Sequence, residues 1–387
     1  MMVGSKRWVI LFSIVLFMGA CRHSETGSES RSQDGASTAD DPSLTSGKSV
    51  IYMGEPIDVV DLHMHPGRYE DLGPIGRDFL RKTLPNFLPL KLKDFSLTVA
   101  ANFLLNPYGK FIGIKTEAEQ AGINRVGLFA VYAPMTWGVT SNESVIQYLD
   151  DERNWNHRGK PYFFGLASIK MQEWDKNEGQ QLDQLRKALS HPQMKGIKLA
   201  FIHNSIPLSD ERYDSVYEVA RDRHVPVYHH IGSSPLRKLT DFKDGSEQEN
   251  YIKSYDPAGL ERAIAKYPEV PFIMGHLGYD FNHEGYSFSE KVFELASRYP
   301  NVYLEISAFG DSIHDPEGEE MRSMLEIIKA RRLVDRTIYG SDGPNVPGGT
   351  KKYLTGTLRA MEQVGYTHDE VEAVLAKTTR RLFKLAD

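Results

Sequence analysis

The chain has 387 residues, a formal net charge of −6 and a single cysteine. The acidic balance, without basic clusters, argues against a nucleic-acid-binding protein and against an electrostatic membrane patch. One cysteine excludes a disulfide framework, so the folded part has to depend on its hydrophobic core, and residues 51–387 are long enough for one large core.

The first 21 residues have the pattern of an export signal. Lys6 and Arg7 precede a short, largely apolar run over residues 8–20, which ends at Cys21. The tetrapeptide MGAC that ends at Cys21 resembles the lipobox of bacterial lipoproteins, with Met where Leu is usual. The resemblance implies a signal peptide over residues 1–20, an acylated Cys21 and an exported protein that its lipid holds on a bacterial membrane. The alternative is an ordinary signal peptide that happens to end near a cysteine.

The next segment has the composition of a linker. Residues 22–49 are rich in Ser, Thr, Gly, Asp and Glu and contain almost no large apolar side chain. Such a segment cannot bury enough surface to offset the entropy lost on ordering. We therefore expect a flexible tether over residues 21–50, followed by one folded domain over residues 51–387.

Eight apolar, strand-like runs follow one another through the folded part. They lie at residues 57–66, 124–133, 162–169, 195–200, 225–232, 271–278, 302–309 and 337–344. Near-continuous apolar strands are typical of a parallel sheet that helices cover. Amphipathic stretches lie between the later strands and after the last one, at residues 178–190, 210–224, 258–267, 288–299, 317–330, 351–364 and 368–385.

This alternation of strand and helix predicts a (β/α)8 TIM barrel. A doubly wound open sheet is the alternative, because the order of strands within the sheet is not visible in the sequence. Two connections are unusually long, residues 68–116 after the first strand and 233–255 after the fifth. Long loops at the carboxyl ends of barrel strands form lids and substrate pockets, although a packing or partner surface is the alternative for the first.

The first strand carries the pattern of a metal site. In IDVVDLHMHPG, residues 57–67, His63 and His65 are two positions apart on a strand and share one of its faces, about 6–7 Å apart. Two imidazoles at this spacing can converge on one ion at about 2.0–2.1 Å each. The alternative is a pair of surface or core histidines.

Other polar residues interrupt the apolar runs, most of them near the carboxyl ends, where the active sites of barrels lie. They are Lys198 in the fourth strand, His229 and His230 in the fifth, His276 in the sixth and Asp342 in the eighth. A mixed set of histidines and a carboxylate suits a divalent cation such as zinc. A water bound at an open coordination position would be acidified, and Asp342 would bind the metal, accept the proton of that water, or do both.

The motifs DLHMH, PVYHHIG, FIMGHLG and IYGSDGP, in this order, resemble those of the amidohydrolase superfamily. The closest resemblance is to its amidohydrolase-related branch, which contains metal-dependent decarboxylases of aromatic or muconate-type acids and a lactonase. The closing KTTRRLFKL is similar to the terminal helix of these enzymes. The resemblance covers residues 57–385 and implies four metal ligands, with His276 as a second ligand or catalytic acid/base and His229 directed to the other face of its strand. The four implied ligands are His63, His65, His230 and Asp342.

The resemblance implies a metal-dependent hydrolase with one divalent ion, zinc or alternatively manganese. Metal-activated water would attack an amide, ester or lactone of a small molecule, while Asp342 transfers the proton and His276 stabilises the developing charge. The alternative reaction is non-oxidative decarboxylation of an aromatic or unsaturated carboxylic acid. A further alternative, from another class, is a non-catalytic binding lipoprotein that has kept the barrel.

Five further residues have more than one interpretation. The fourth strand reads GIKLAF where the branch often has GIKLHP; Lys198 either holds a substrate carboxylate, pairs with a neighbouring acid or, as in other branches, is carbamylated to bridge two metals. Arg68 is a candidate clamp for an acidic substrate or an ordinary solvated side chain. His203 and His283 either line the pocket or lie on the surface. Glu305 either supports a metal-binding imidazole or is a buried structural carboxylate.

Overall fold

The structure is a computed structural model. It describes residues 45–46, 49–67, 69–82, 84–103, 111–172, 174–282, 288–307, 315, 317–343 and 348–386. The expected signal peptide, Cys21 and most of the tether lie outside the described residues, as do Arg68 and His283. Within the described part of the chain, no helix combines the length and the apolarity that crossing a bilayer requires.

Eight parallel strands form the centre of the molecule, and each pairs with the next one along the chain. The barrel strands are β1 (Val60–Met64), β2 (Arg125–Phe129), β3 (Phe163–Ala167), β4 (Met194–Leu199), β5 (Val227–His230), β6 (Phe272–Gly275), β7 (Val302–Ile306) and β8 (Thr337–Tyr339). Consecutive pairing contradicts the doubly wound alternative, in which the strand order reverses.

The eighth strand returns to the first and nearly closes the barrel. Met64 bridges Gly343 in parallel, and the backbone N–H of His65 donates to the carbonyl of Gly343 at 2.9 Å. The backbone N–H of Ser341 donates to Oδ1 of Asp61 at 3.0 Å. These contacts bring the ends of β1 and β8 side by side.

Helices surround the barrel and pack their apolar faces on the outer side of the strands. The α-helices are Pro74–Arg81, Leu90–Phe103, Phe111–Gln120, Asn142–Leu149, Trp174–Ala188, Phe201–Asn204, Asp214–Arg223, Gly245–Lys253, Glu261–Lys266, Ser289–Arg298, Glu319–Ala330, Gly349–Val364, His368–Glu372 and Thr378–Phe383, with a π-helical turn over Ala373–Lys377. Both long connections contain helices, three after β1 and one after β5, and the helix between β2 and β3 was not predicted.

The predicted second strand, residues 124–133, is in fact two strands. Barrel pairing ends at Phe129, and Val131–Ala133 forms an antiparallel hairpin with Gly138–Thr140. The run is buried throughout, so its composition contains no sign of the change of partner. The hairpin contacts the first long connection, where the backbone N–H groups of Gly73 and Ile75 donate to the carbonyls of Thr136 and Met135.

A small antiparallel sheet precedes the barrel and changes the boundary expected at residue 50. Its strands are Thr45–Ser46, Ser49–Tyr52 and Glu55–Ile57. Val50 and Tyr52 are buried, and the Tyr52 hydroxyl donates to the carbonyl of Tyr366 at 2.8 Å. The folded part therefore begins before residue 51, because these alternating apolar side chains pack into the same core.

Candidate metal centre

A bulge in β1 directs the first histidine into the barrel. The pairing register of β1 with β2 shifts between Asp61 and Met64. Leu62 belongs to the apolar cluster that fills the barrel, and the adjacent His63 also faces inward, with its ring stacked on Phe129 at 4.4 Å between centroids. A bulge permits this departure from strict alternation. Oδ1 of Asp61 stabilises it by accepting the backbone N–H of His63 at 2.9 Å.

Three side chains at the carboxyl ends of the first and last barrel strands converge. Nε2 of His63 lies 2.9 Å from Nε2 of His65. Oδ1 of Asp342 lies 3.2 Å from each of these nitrogens. Ligand atoms that bind one divalent ion at about 2.0–2.2 Å are about 3 Å apart from one another, so this triangle fits a shared ion.

The protonation states of the triangle also suit a cation. Burial lowers the pKa of the His63 imidazole well below its ordinary value. Burial alone would raise the pKa of the Asp342 carboxyl, but its close contacts with His63, His276 and His65 outweigh burial and hold this pKa well below its usual range. Neutral imidazoles and an ionised carboxylate are the forms that bind divalent metals.

His276 and Asp342 lie just past the ends of β6 and β8 and have left-handed backbone conformations. The φ angles are +61° for His276 and +54° for Asp342. Such angles are uncommon for residues other than glycine and cluster at functional sites, where surrounding contacts hold them. Both residues were predicted as strand residues; the structure instead has them in the turns that leave the barrel.

His230 stands beside the triangle rather than within it. Its ring centroid lies 4.3 Å from that of His276 and 5.5 Å from that of His203. Its Nε2 is 3.4 Å from the carbonyl oxygen of Ser233. The structure therefore brings together three of the four implied ligands, and the half-buried His230 forms a second, adjoining group with the buried His203.

His229 takes no part in this centre. It is buried on the outer face of β5, where its Nε2 lies 3.0 Å from the hydroxyl of Tyr217 on a surrounding helix. Its ring stacks on Phe272 with centroids 5.6 Å apart. The prediction that His229 faces away from the site and packs against a helix is confirmed.

Lys198 places a buried amino group close to the centre. Its Nζ lies 4.1 Å from the ring centroid of Tyr228 and 5.3 Å from that of Phe129. Burial lowers the pKa of Lys198 to about 7, against the opposing effect of the carboxylates of Asp342 and Glu305. The electron-rich faces of the two rings stabilise an ammonium group at this position.

A cleft opens beside His65, between the first long connection and the hairpin after β2. Its wall combines apolar side chains with a carboxylate and a hydroxyl. The lining residues are His65, Pro66, Gly67, Asp71, Leu72, Val131, Trp137 and Thr140. Of the three converging ligands, His65 lines this cleft.

Sequence reasoning missed two inward-facing residues that contact the histidines. The hydroxyl of Tyr228 lies 3.1 Å from Nδ1 of His63, and Oγ of Ser307 lies 2.9 Å from Nδ1 of His276. Alternation along the strand could have found both, because Tyr228 is two residues before His230 and Ser307 is two residues after Glu305.

Comparisons with known proteins agree with this architecture. The fungal protein fluG of Emericella nidulans is 36% identical over 117 residues, which are 30% of this chain and 12% of that protein, so the chain matches a small part of its relative. A Bordetella bronchiseptica protein called an uncharacterized TIM-barrel protein superposes with a TM-score of 0.57 at 16% identity, over 85% of this chain and 99% of the other.

Two further crystal structures share the fold. One is a probable 2-pyrone-4,6-dicarboxylic acid hydrolase of Acinetobacter baumannii, with a TM-score of 0.53 and 12% identity over 85% of this chain and 100% of the other. The other is the 5-carboxyvanillate decarboxylase of Novosphingobium aromaticivorans, complexed with manganese. It superposes with a TM-score of 0.53 and 15% identity, over 85% of this chain and 96% of the other.

The family comparison covers more than half of the chain. The Amidohydro_2 family, described as Amidohydrolase, matches residues 161–385, from the start of β3 to the last helix. That match, together with the nearly closed eight-stranded barrel, shows that the chain belongs to the amidohydrolase family of metal-dependent enzymes.

Proposed function

We propose that this protein is a metal-dependent hydrolase that cleaves an amide, ester or lactone of a small molecule. The observation that carries the proposal is the triangle of His63 Nε2, His65 Nε2 and Asp342 Oδ1, with separations of 2.9–3.2 Å. These three atoms would hold one divalent ion, zinc or manganese, and the adjoining His230 would supply a further donor. When bound, such an ion polarises a carbonyl group and acidifies water at neutral pH.

The residues of the chain would orient the substrate and move the proton. The Asp342 carboxylate would accept the proton of the attacking water, and His276, which is buried with its ring centroid 5.2 Å from that of His63, would act as a catalytic acid/base toward the substrate. Lys198 would attract an anionic group of the substrate, because the ammonium group is buried next to aromatic rings. Trp137 and Leu72 would bind an apolar part of the substrate in the cleft.

The alternative reaction is non-oxidative decarboxylation. Lys198 favours it, since a buried cation beside a metal centre also suits a substrate carboxylate. Released CO2, measured against hydrolysis products for a panel of lactones, amides and aromatic carboxylic acids, separates the two reactions. Formation of CO2 without hydrolysis would replace the proposed function by this one.

The metal content of the purified full-length protein tests the centre. We expect about one equivalent of zinc or manganese in the wild type and loss of the ion in His63→Ala and Asp342→Asn, with unchanged circular dichroism. His191→Ala, which alters a histidine paired with Asp150 far from the centre, is the matched control and should keep the ion. About two equivalents would favour a carbamylated Lys198, whereas no ion after reconstitution would favour the binding-protein alternative.

We further propose that Cys21 carries a lipid and holds the barrel at a bacterial membrane. The charged start of the chain, the apolar run after it and the tetrapeptide MGAC support this proposal. Mass spectrometry of the mature protein tests it: an N-terminal, acylated Cys21 is the expected result, and an unmodified cysteine after cleavage would contradict it.

A further inference from the structure

Glu305 lies at the centre of a hydrogen-bond network beneath the metal centre. It is fully buried near the end of β7. Its Oε1 lies 3.1 Å from Nδ1 of His63, and its Oε2 lies 3.1 Å from both the Tyr228 hydroxyl and the backbone nitrogen of His276, and 2.6 Å from Oγ of Ser307. All four partners can donate, so they suit an ionised carboxylate, which only accepts.

This network determines which nitrogen of His63 carries a proton. The hydroxyl hydrogens of Tyr228 and Ser307 are both directed to Glu305. Neither hydroxyl can then donate to Nδ1 of His63, which lies 3.1 Å and 3.3 Å from their oxygens. Nδ1 therefore carries the hydrogen and donates, and the lone pair is on Nε2, the atom that faces His65 and Asp342.

The same carboxylate reaches His276 through Ser307. Because the Ser307 hydroxyl donates to Glu305 at 2.6 Å, its oxygen is free to accept from Nδ1 of His276 at 2.9 Å. The carbonyl oxygen of Ser307, 3.3 Å from the same nitrogen, can only accept. His276 thus also carries its hydrogen on Nδ1 and has its lone pair on Nε2.

Two glycines leave the space that the network needs. A Cβ atom at Gly340 would lie 2.1 Å from Oε1 of Glu305 and 2.8 Å from Cβ of His63. A Cβ atom at Gly275 would lie 1.9 Å from the Tyr228 hydroxyl oxygen. The two glycines stand on either side of β7, one at the end of β6 and one just after β8, where a side chain would displace Tyr228 or Glu305.

We propose that Glu305 is a positioning residue that fixes the Nδ1–H tautomer of both His63 and His276, and so couples metal binding to proton transfer. The proposal rests on the proposed function for its catalytic meaning. Partners of metal-binding imidazoles act in this way in general, since they orient the ring and raise its basicity. Here one carboxylate supports two histidines with different roles.

Nitrogen chemical shifts of the histidine side chains test the proposal in the wild-type protein itself. In the metal-free, full-length protein at pH 8, we expect His63 and His276 to be neutral and protonated on Nδ1. Assignment uses His63→Gln and His276→Gln, each of which should remove one set of signals. An Nε2–H tautomer at either histidine would overturn the proposal, and this measurement depends neither on metal binding nor on activity.

The variant Glu305→Gln tests the consequence for the metal. Its amide NH2 group would replace one of the two acceptor oxygens and favour the Nε2–H form of His63, so we expect the affinity for Zn²⁺, from competition with a chelating dye, to fall about 10–100-fold. Glu117→Gln, at a buried carboxylate that contacts the backbone nitrogen of Thr350, is the matched control and should keep the wild-type affinity. Wild-type affinity in Glu305→Gln would overturn the proposal.

Ser307→Ala separates the two branches of the network. We expect it to change the tautomer population of His276 and to lower kcat, while the Zn²⁺ affinity stays within about threefold of the wild type. A purely structural role would instead lower the stability of Ser307→Ala and Glu305→Gln and leave the imidazole shifts of the folded protein unchanged. If the wild type binds no Zn²⁺, the proposed function is wrong. The measured tautomers of His63 and His276 still test whether Glu305 is a positioning residue.

Discussion

At the scale of single residues, neighbouring histidines on β5 illustrate how strand alternation separates stability from chemistry. His229 lies on the outer face, between Tyr217 and Phe272, whereas His230 lies inside the barrel with its ring against that of His276. Both imidazoles have a lowered pKa with burial as the largest cause, although His229 is fully buried and His230 is half-buried. Only their position relative to the sheet distinguishes a packing residue from a site residue.

Alanine at these two positions should therefore have opposite effects. We expect His229→Ala to lower the free energy of unfolding by about 2–4 kcal/mol, because a packed ring and its contact with Tyr217 are lost, and to leave the metal content unchanged. His230→Ala should abolish activity with a smaller effect on stability. Denaturant unfolding and elemental analysis of both variants check this, and loss of the metal from His229→Ala alone would contradict it.

At the scale of elements, an ionic cluster ties three segments together at the end of the barrel opposite to the site. Asp58, just before β1, accepts two hydrogen bonds from Arg158, at 2.5 and 2.6 Å, and one from Arg380 at 2.8 Å. Arg158 precedes β3, and Arg380 belongs to the last helix. The cluster thus fixes the start of β1 to the segment before β3 and to the chain end.

The stability contribution of this cluster should depend on pH. Burial alone would raise the pKa of Asp58, but the hydrogen bonds from Arg158 and Arg380 outweigh it and lower the pKa below 3.8. A group with a lowered folded-state pKa stabilises the protein above its unfolded pKa and loses this effect as the pH falls through the folded value. We expect Asp58→Asn to lower the free energy of unfolding by about 1 kcal/mol at pH 7.

The difference between Asp58→Asn and the wild type should begin to shrink as the pH falls below about 4, where the carboxyl of the unfolded chain becomes protonated. It should disappear below the lowered folded-state pKa, where both proteins carry an uncharged group at this position. Urea unfolding between pH 3 and pH 7 measures it. Asp183→Asn, at an exposed aspartate that pairs with Arg186, is the control and should have no measurable effect at either pH. A pH-independent deficit in Asp58→Asn would argue for lost packing rather than lost charge.

At the scale of the whole molecule, the candidate metal centre lies across the seam where the barrel closes. His63 lies in β1, His65 directly follows this strand, and Asp342 follows β8. Between these two strands, the described contacts are the Met64–Gly343 bridge and a few hydrogen bonds. An ion held by all three side chains would connect the first and last strands. Metal binding should therefore stabilise the entire barrel.

We expect Zn²⁺ at 100 times its Kd to stabilise the metal-free protein by about 2.7 kcal/mol, which raises its Tm. The Tm of His63→Ala and of Asp342→Asn should not rise with Zn²⁺, since each variant lacks one of the three ligand atoms. Differential scanning calorimetry with and without Zn²⁺ measures the shift. An equal response in wild type and in both variants would indicate binding at some other place, such as the exposed surface.

Much of the fold and part of the centre were predictable from local pattern. Near-continuous apolar runs indicated the eight strands, and the motif around His63 and His65 indicated two imidazoles at one strand end. The bulge at Asp61–Met64 was not predictable, because the register of β1 depends on its neighbour β2. The change after Phe129, from pairing with β3 to pairing in a hairpin, was not predictable for the same reason. A buried apolar run has the same composition in a barrel strand and in a hairpin strand.

By itself, the sequence determined most of the barrel strands and several of the surrounding helices, and it indicated that His63 and His65 share a face whereas His229 and His230 do not, because these properties depend on neighbours along the chain. The tertiary structure decided which side chains from different strands come into contact. The closure of β8 on β1 brings Asp342 to His63 and His65, and the side-by-side strands β5, β6 and β7 bring Tyr228, Glu305 and Ser307 around the histidines. These contacts depend on long-range pairing and on side-chain packing inside the barrel, which no local pattern encodes.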